Sequence, residues 1–309
     1  MTNRHPYRDR SIAQLSMGVE HPHREDPPVT ASEKTLQGRT AIISGGSRGI
    51  GEAIAVRLAR AGANITLLAK TAEPHPKLPG TIYTAAQAIE EAGGQALPIV
   101  GDIRDDQQVA DAVAATAERF GGIDIVINNA SALNLTATAE IDMKHYDLMQ
   151  DINARGAFSL SRSAIPHLRK SDHAHVLTLS PPISLEPHWF DEIGTAYTVS
   201  KFSMTIVALG LSRELAADGV ASNCLWPRTT ISTAAVRNIL SEKLIARSRS
   251  TEIMSDAAYA ILSKDPSAAT GQCYIDDEVL SANGVTDFAK YRTVDSDDEL
   301  ELDFWTTRR

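Results

Sequence analysis

The chain has 309 residues, a net charge of −9 with histidine neutral, and two cysteines. That length suits one large α/β domain or two small ones. The acidic balance argues against a nucleic-acid surface, which needs a basic face, and against docking on an anionic membrane. No apolar run reaches the roughly 20 residues that span a bilayer, and no apolar leader core opens the chain. Cys224 and Cys273 lie in apolar contexts without metal-ligand spacing. These features lead us to expect a cytoplasmic protein with buried thiols, no metal and no membrane insertion.

Residues 1–35 are polar, rich in Arg, His and Pro, and without period. They read as a solvated tail, histidines His5, His21 and His23 included. From there apolar runs alternate with helical patterns. Strands are expected at 40–44, 64–69, 96–100, 123–128, 174–180, 220–226 and 273–275, with helices at 50–61, 84–92, 106–120, 147–168 and 197–217. The runs are continuous, as in strands covered on both faces. The pattern predicts a single doubly wound Rossmann-type domain over 36–292, with a parallel sheet of about seven strands.

The first strand runs into Gly45-Gly46-Ser47-Arg48-Gly49-Ile50-Gly51. Gly45 suits a tight bend. Gly49 leaves room for a pyrophosphate, and Gly51 allows close packing of the next helix on the strand. The helix N-terminus then offers free N–H groups and a partial positive charge to an anion. The second strand ends at Ala69-Lys70. With Arg48 this places two cations, and no carboxylate, where a 2′-OH or a 2′-phosphate would lie. We therefore expect NADP(H), with NAD(H) the alternative and Glu73 close enough to blur the distinction. Asp102 follows the third strand, near the place for an adenine. Asn128-Asn129-Ala130-Ser131 follows the fourth.

Asn153 falls inside the long helix 147–168, and Ser180-Pro181-Pro182 follows the fifth strand. Tyr197 and Lys201, four apart on a helix, share one face and point into one cleft. A free tyrosine titrates near ~10, and a neighbouring ammonium favours the phenolate. Lowering that value by about 3 units corresponds to roughly 4 kcal/mol and would make the phenol a general acid or base near neutrality. Beyond Pro227, residues 229–248 carry Ile231, Ala234, Ala235, Val236, Ile239, Leu240 and Leu244 at helical spacing. They form either a packed helix or a lipophilic wall, to which Leu133, Leu135, Trp189 and Phe190 would add. From residue 293 an acidic run reads as a solvated tail, with Phe304 and Trp305 available to dock on a neighbouring surface.

These motifs, in this order over about 36–272, resemble the short-chain dehydrogenase/reductase family. Residues 69–83, Ser180-Pro181-Pro182 and 225–229 mark a subgroup within it, some of whose members add a C-terminal sterol-carrier-like domain that 309 residues leave no space for. The resemblance implies a catalytic set of Tyr197, Lys201, Asn153 and a substrate-binding serine. Aligned by the strand, Ser180 sits one residue early and the expected position falls on Pro181; aligned by distance to Tyr197, Ser184 fits better; we take Ser180 first, with Ser184 the alternative. It implies that Asn153 sits at a helix irregularity and holds a water that relays protons towards Lys201, that Lys201 holds the nicotinamide ribose and that Asn129 lies near it. Further dinucleotide contacts are implied for Gly45, Ser47, Arg48, Gly49, Ile50 and Gly51. The same holds for Lys70, Asp102, Ile103, Ala130, Pro227 and Ile231. The implied reaction is hydride transfer between a nicotinamide and a hydrophobic carbonyl or secondary alcohol, steroid-like or fatty-acyl. A homodimer or homotetramer built on the two long helices goes with it. The competing function is a dinucleotide-binding redox sensor or scaffold, motivated by the displaced serine and by Arg228, where relatives often have Gly.

Overall fold

The computed structural model describes residues 35–75, 78–239 and 242–308; the expected N-terminal tail, but for Thr35, and Leu240 lie outside them. Seven strands, β1 (Thr40–Ser44), β2 (Asn64–Ala69), β3 (Gln95–Val100), β4 (Ile125–Asn128), β5 (His175–Thr178), β6 (Ala221–Trp226) and β7 (Cys273–Ile275), form one sheet in the order β3-β2-β1-β4-β5-β6-β7. Every pairing is parallel. The doubly wound sheet predicted from the continuous apolar runs is what the chain builds.

Alternation within each strand assigns the two faces. Ala41, Ile43, Ile65 and Leu67 face α1 (Gly49–Arg60), α2 (Ile82–Glu91), α10 (Glu252–Leu262) and α11 (Asp276–Ala282). Ile42, Leu68, Val126 and Val176 face α3 (Asp106–Phe120), α5 (Gly156–Leu168) and α7 (Thr195–Glu214). Between them α4 (Met143–Met149), α6 (Pro187–Glu192), α8 (Ala234–Ile239) and α9 (Glu242–Ile245) connect or cap the layers. The helix expected over 147–168 is interrupted by a π-helical stretch, Gln150–Arg155.

The strand order reverses between β1 and β4. Ligands of doubly wound sheets bind in the crevice at that reversal, beyond the carboxyl ends of the strands. The loops after β1, β3, β4, β5 and β6 all meet there. Among the described residues no helix is long and apolar enough to cross a membrane, and no cluster of three His, Cys, Asp or Glu side chains is arranged to hold a metal.

Candidate active site

The dinucleotide end is made mostly of backbone. Gly45 has φ +70° and lies so close to the β4 loop that a Cβ would come within 2.8 Å of the Ala130 Cα. A Cβ on Gly51 would stand 2.4 Å from Asn129 Nδ2 and 2.7 Å from the Gly45 carbonyl oxygen. Gly51 therefore seats the helix start on the turn and the β4 loop, rather than on the strand as its spacing suggested. At Gly49, with φ +61°, a Cβ would meet only Thr233, at 3.6 Å, so the turn stays open on that side. No side chain caps the start of α1, which leaves its first N–H groups for an anion. Asn129 does not point away from the turn. Its amide donates to the carbonyls of Ser44 and Gly45, both at 2.9 Å, and so braces the cradle. A pyrophosphate fits this arrangement of bare backbone and free donors. Ser47 is buried within the turn and Ile50 half-buried beside it.

Lys70, at the end of β2, pairs with Asp102 at 3.0 Å. Arg104 holds the same carboxylate through Nε at 3.0 Å and Nη2 at 2.6 Å. Hydrogen bonds from Arg104, then from Lys70, keep the Asp102 carboxyl well below the usual range against the opposing effect of burial. Arg48 donates to the carbonyls of Pro79 and Gly80 at 3.1 and 3.0 Å. Together with Lys70 it lines a cavity of about 350 Å³ that also includes Glu73 and His75. Ile103 is buried against Gly156, where a Cβ would be 2.8 Å from the isoleucine side chain.

At the other end, Tyr197 and Lys201 stand one turn apart on α7, both buried. Lys201 Nζ donates to the Leu179 carbonyl at 2.6 Å, touches Met204 Sδ at 3.3 Å and lies 5.0 Å over the Trp226 ring. Burial lowers Lys201 to about 7, with Asp303 working against that. Burial, then Asp303, push the Tyr197 phenol well above its ordinary value. The expected lysine-acidified phenol is thus not the arrangement seen here. The ammonium is turned to a main-chain carbonyl, and a carboxylate from the C-terminal segment acts on both groups.

Asn153 lies in the π-helical stretch, at the irregularity the resemblance implied. Both its donors are used: Oδ1 accepts from Ala132 N at 2.7 Å, and Nδ2 donates to Ala132 O and Ser200 Oγ, both at 2.9 Å. Ser200 in turn donates to the Tyr197 carbonyl at 2.8 Å. Ser180 is buried, as Tyr197 and Lys201 are. Its hydroxyl is wholly buried against the Cys224 thiol. The cause is local: Pro181-Pro182 fixes the path of the chain, and the Pro181 carbonyl is pinned by Thr205 Oγ1 at 2.7 Å. Ser184 keeps a half-exposed side chain. Pro227 and Ile231 are buried, and Ile231 bridges to Arg249.

The C-terminal segment, read from sequence as solvated, folds back over this end. Leu300 and Trp305 are 1% and 4% exposed. Arg247 pairs with Glu301 at 2.8 Å, and Arg292 with Asp297 at 3.2 Å, so basic partners upstream absorb the acidic run. Arg228 is the clamp. Its Nε reaches Asp277 at 2.7 Å and its Nη1 the Thr307 carbonyl at 2.7 Å. Its own carbonyl accepts from Asp303 N at 2.9 Å and Thr306 Oγ1 at 2.8 Å. Trp305 stacks on Tyr197 with ring centroids 5.9 Å apart and planes 29° apart. Among the described non-glycine residues it alone has positive φ, at 61°, a conformation costing on the order of 1–3 kcal/mol. Its indole N–H is buried without a partner. The signals available in the sequence were Arg228 and an aromatic pair set in an acidic run.

The profile described as short chain dehydrogenase matches residues 39–244. The chain belongs to this family, and with it to the oxidoreductases. It is 52% identical to hydroxysteroid dehydrogenase-like protein 2 of Danio rerio over 256 residues, 83% of this chain and 61% of that protein. To the Homo sapiens protein of that description it is 47% identical, over 83% and 60% of the two chains. It thus spans about three fifths of the length of these curated relatives. A solved short chain dehydrogenase from Mycobacterium thermoresistibile is 54% identical and superposes with a TM-score of 0.83, covering 88% of this chain and 96% of that one.

Proposed function

We propose that the chain is an NADP(H)-dependent oxidoreductase that transfers a hydride between the nicotinamide and the carbonyl or secondary alcohol of a hydrophobic, steroid-like or fatty-acyl substrate. The observation that carries this reading is the placement of Tyr197 and Lys201, one helical turn apart, at the ligand edge of the sheet whose β1 turn forms the glycine cradle. The cofactor, when bound, supplies or accepts the hydride. The β1 turn and the start of α1 hold its pyrophosphate, and Arg48 and Lys70 favour a 2′-phosphate by charge. Tyr197 Oη gives a proton to the substrate oxygen in reduction and takes it back in oxidation. Lys201, swung from the Leu179 carbonyl, holds the ribose and favours the phenolate. Asn153 fixes the first turn of α7 through Ser200, which makes it a positioning residue. Ser184 is the accessible candidate for binding the substrate oxygen.

Leu133, Leu135 and Trp189 pack in one apolar cluster with Tyr197, which supports a lipophilic substrate, as does the printed description of the relatives. The outer faces of α5 and α7 carry exposed Phe158, Val199 and Ile206, surfaces suited to a homodimer or homotetramer. The thiols of Cys224 and Cys273, register partners on β6 and β7, are free, in keeping with a reducing cytoplasm.

The test is titration with NADPH and NADH, followed by turnover on steroid, long-chain and small polar ketones. Tyr197→Phe is expected to lower kcat by roughly 10²–10⁴-fold while dinucleotide affinity stays. The buried, high-pKa phenol favours a second reading, a dinucleotide sensor. Tight NADPH binding with no turnover on any ketone would establish that one instead.

A further inference from the structure

We propose that the C-terminal segment is an internal ligand: the Trp305 indole fills the place against Tyr197 that a ring-bearing apolar carbonyl compound takes during turnover, and that compound displaces it. This rests on Tyr197 being the catalytic phenol, as proposed above.

The shape of the place is set by what surrounds the indole. Tyr197, Phe202 and Trp226 stand with ring centroids 5.9, 5.2 and 5.9 Å from it. Such a box takes a flat or fused-ring apolar guest better than a straight chain, because each face of the guest meets an aromatic ring. Proton transfer requires a substrate oxygen within hydrogen-bond reach of the phenol. Here the phenol ring is 5% exposed and covered by the indole.

The segment is also uneven along its length. Its base is secured: Leu300 is buried, Thr230 N donates to Glu301 O at 3.0 Å, Glu301 N to Arg247 O at 2.9 Å, and Leu302 bridges to Thr229. Its tip carries the discomfort. Trp305 holds a positive φ and an unpaired N–H, and Asp303 buries a carboxyl facing Lys201 and Asp276. Backbone strain and an orphaned donor in one residue, set against a catalytic side chain, are the marks of a contact made to be given up. Displacement would break the bonds from Asp303 N and Thr306 Oγ1 to Arg228 O and from Trp226 Nε1 to Phe304 O. Water replaces these in the released segment.

The test uses the full chain with saturating NADP⁺, so that no ketone is consumed, and 2-decalone as the fused-ring probe. In the wild type, decalone is expected to speed amide exchange at residues 303–306. Calorimetry is expected to show Trp305→Ala binding decalone about tenfold tighter, with Trp305→Phe, which keeps a ring in the box, close to wild type. Weaker or equal binding by Trp305→Ala, or slower exchange in the wild type, would overturn the proposal. Because the exchange measurement needs no variant, a misfolded Trp305→Ala cannot hide the answer. Displacement without turnover of any ketone would overturn the dehydrogenase reading and, with it, the claim that the place is used in turnover. Turnover with an unmoved segment would overturn this proposal and leave the dehydrogenase reading standing.

Discussion

The two ends of the ligand edge are built on different principles. At the dinucleotide end, function is written in short stretches of backbone: a turn of seven residues, a bare helix start, and an asparagine amide that ties the β1 and β4 loops together. At the other end, Tyr197 and Lys201, the proposed catalytic pair, are set by α7. Their environment comes from a segment about a hundred residues later, fastened to β6 and the loop after it by bonds such as Trp226 Nε1 to Phe304 O. The first end stands open to its ligand. The second is covered. A cradle of glycines gains nothing from being shielded, whereas a buried phenol and ammonium have their acidity set by whatever covers them.

Breaking the cover should therefore cost more than disturbing the cradle. Arg228→Ala would leave the Asp277 carboxylate, whose side chain is 7% exposed, without its main partner. It would also remove the bond to the Thr307 carbonyl. Losing one side of a buried pair costs about 3–5 kcal/mol. Arg249, 3.7 Å from the same carboxylate, keeps the expected loss near the lower figure. Urea denaturation would show it. A loss under about 1 kcal/mol, typical of an exposed pair, would mean that the clamp is not closed in solution.

Asp303 offers a milder probe of the same cover. Burial raises its carboxyl to about 7, with Asp276 adding to the rise and Lys201 opposing it. The folded value lies above the ordinary carboxylate value of ~3.9, so between about pH 4 and pH 7 the native state holds a proton that the unfolded chain has lost. Stability must then fall as pH rises through that window, by at most about 1.4 kcal/mol per pH unit for one proton. Asp303→Asn is expected to flatten this fall. Asp276, itself raised to about 7 by burial, preserves part of the slope. Unfolding curves at a series of pH values would check the sign. A variant with the slope of wild type would place the Asp303 carboxyl in water.

On the cradle side, Gly51→Ala forces a methyl group against Asn129 and the Gly45 carbonyl. Overpacking of this kind costs about 1–3 kcal/mol, and the displaced turn is expected to lose dinucleotide affinity as well. Gly122→Ala, where a Cβ meets nothing within 4 Å, is the matched control and should leave both unchanged. Thermal melts and NADPH titration read the pair. Equal behaviour of the two variants would remove the close seating of α1 from the account.

How far the chain could be read beforehand follows the same division. The seven strands and their parallel pairing were legible because each is a local apolar run and strand–helix alternation implies parallel neighbours; the order in the sheet was not read beforehand. The glycine turn was legible because its constraint acts within seven residues. Three further features were not. The burial of Ser180 goes with a chain path in which Thr205 holds the Pro181 carbonyl. The direction of Lys201 depends on the Leu179 carbonyl. The folding of 293–308 depends on Arg228, which holds the Thr307 carbonyl, and on Arg247, Arg249 and Arg292, which pair with its carboxylates, basic residues spread over 65 positions. By composition an acidic run reads as solvated, because composition does not show where its counter-charges lie.

The smallest expected effect falls at the outer rim of the cradle, where we propose that choice between the two dinucleotides is made. Lys70 is 60% exposed and shares Asp102 with Arg104. A 2′-phosphate entering the cavity beside Arg48 would compete with that carboxylate for the ammonium. Lys70→Ala removes only the charge facing the phosphate, so its effect must be differential. The dissociation constant for NADPH should rise roughly tenfold, about 1.4 kcal/mol, while that for NADH stays within about twofold. The screening expected of an exposed charge adds a second signature: the NADPH penalty should shrink as salt is raised. Equal losses for both dinucleotides would assign Lys70 to the shape of the cavity. No loss for either would leave Arg48 as the sole basis for preferring the phosphorylated form, and the preference should then disappear in Arg48→Ala.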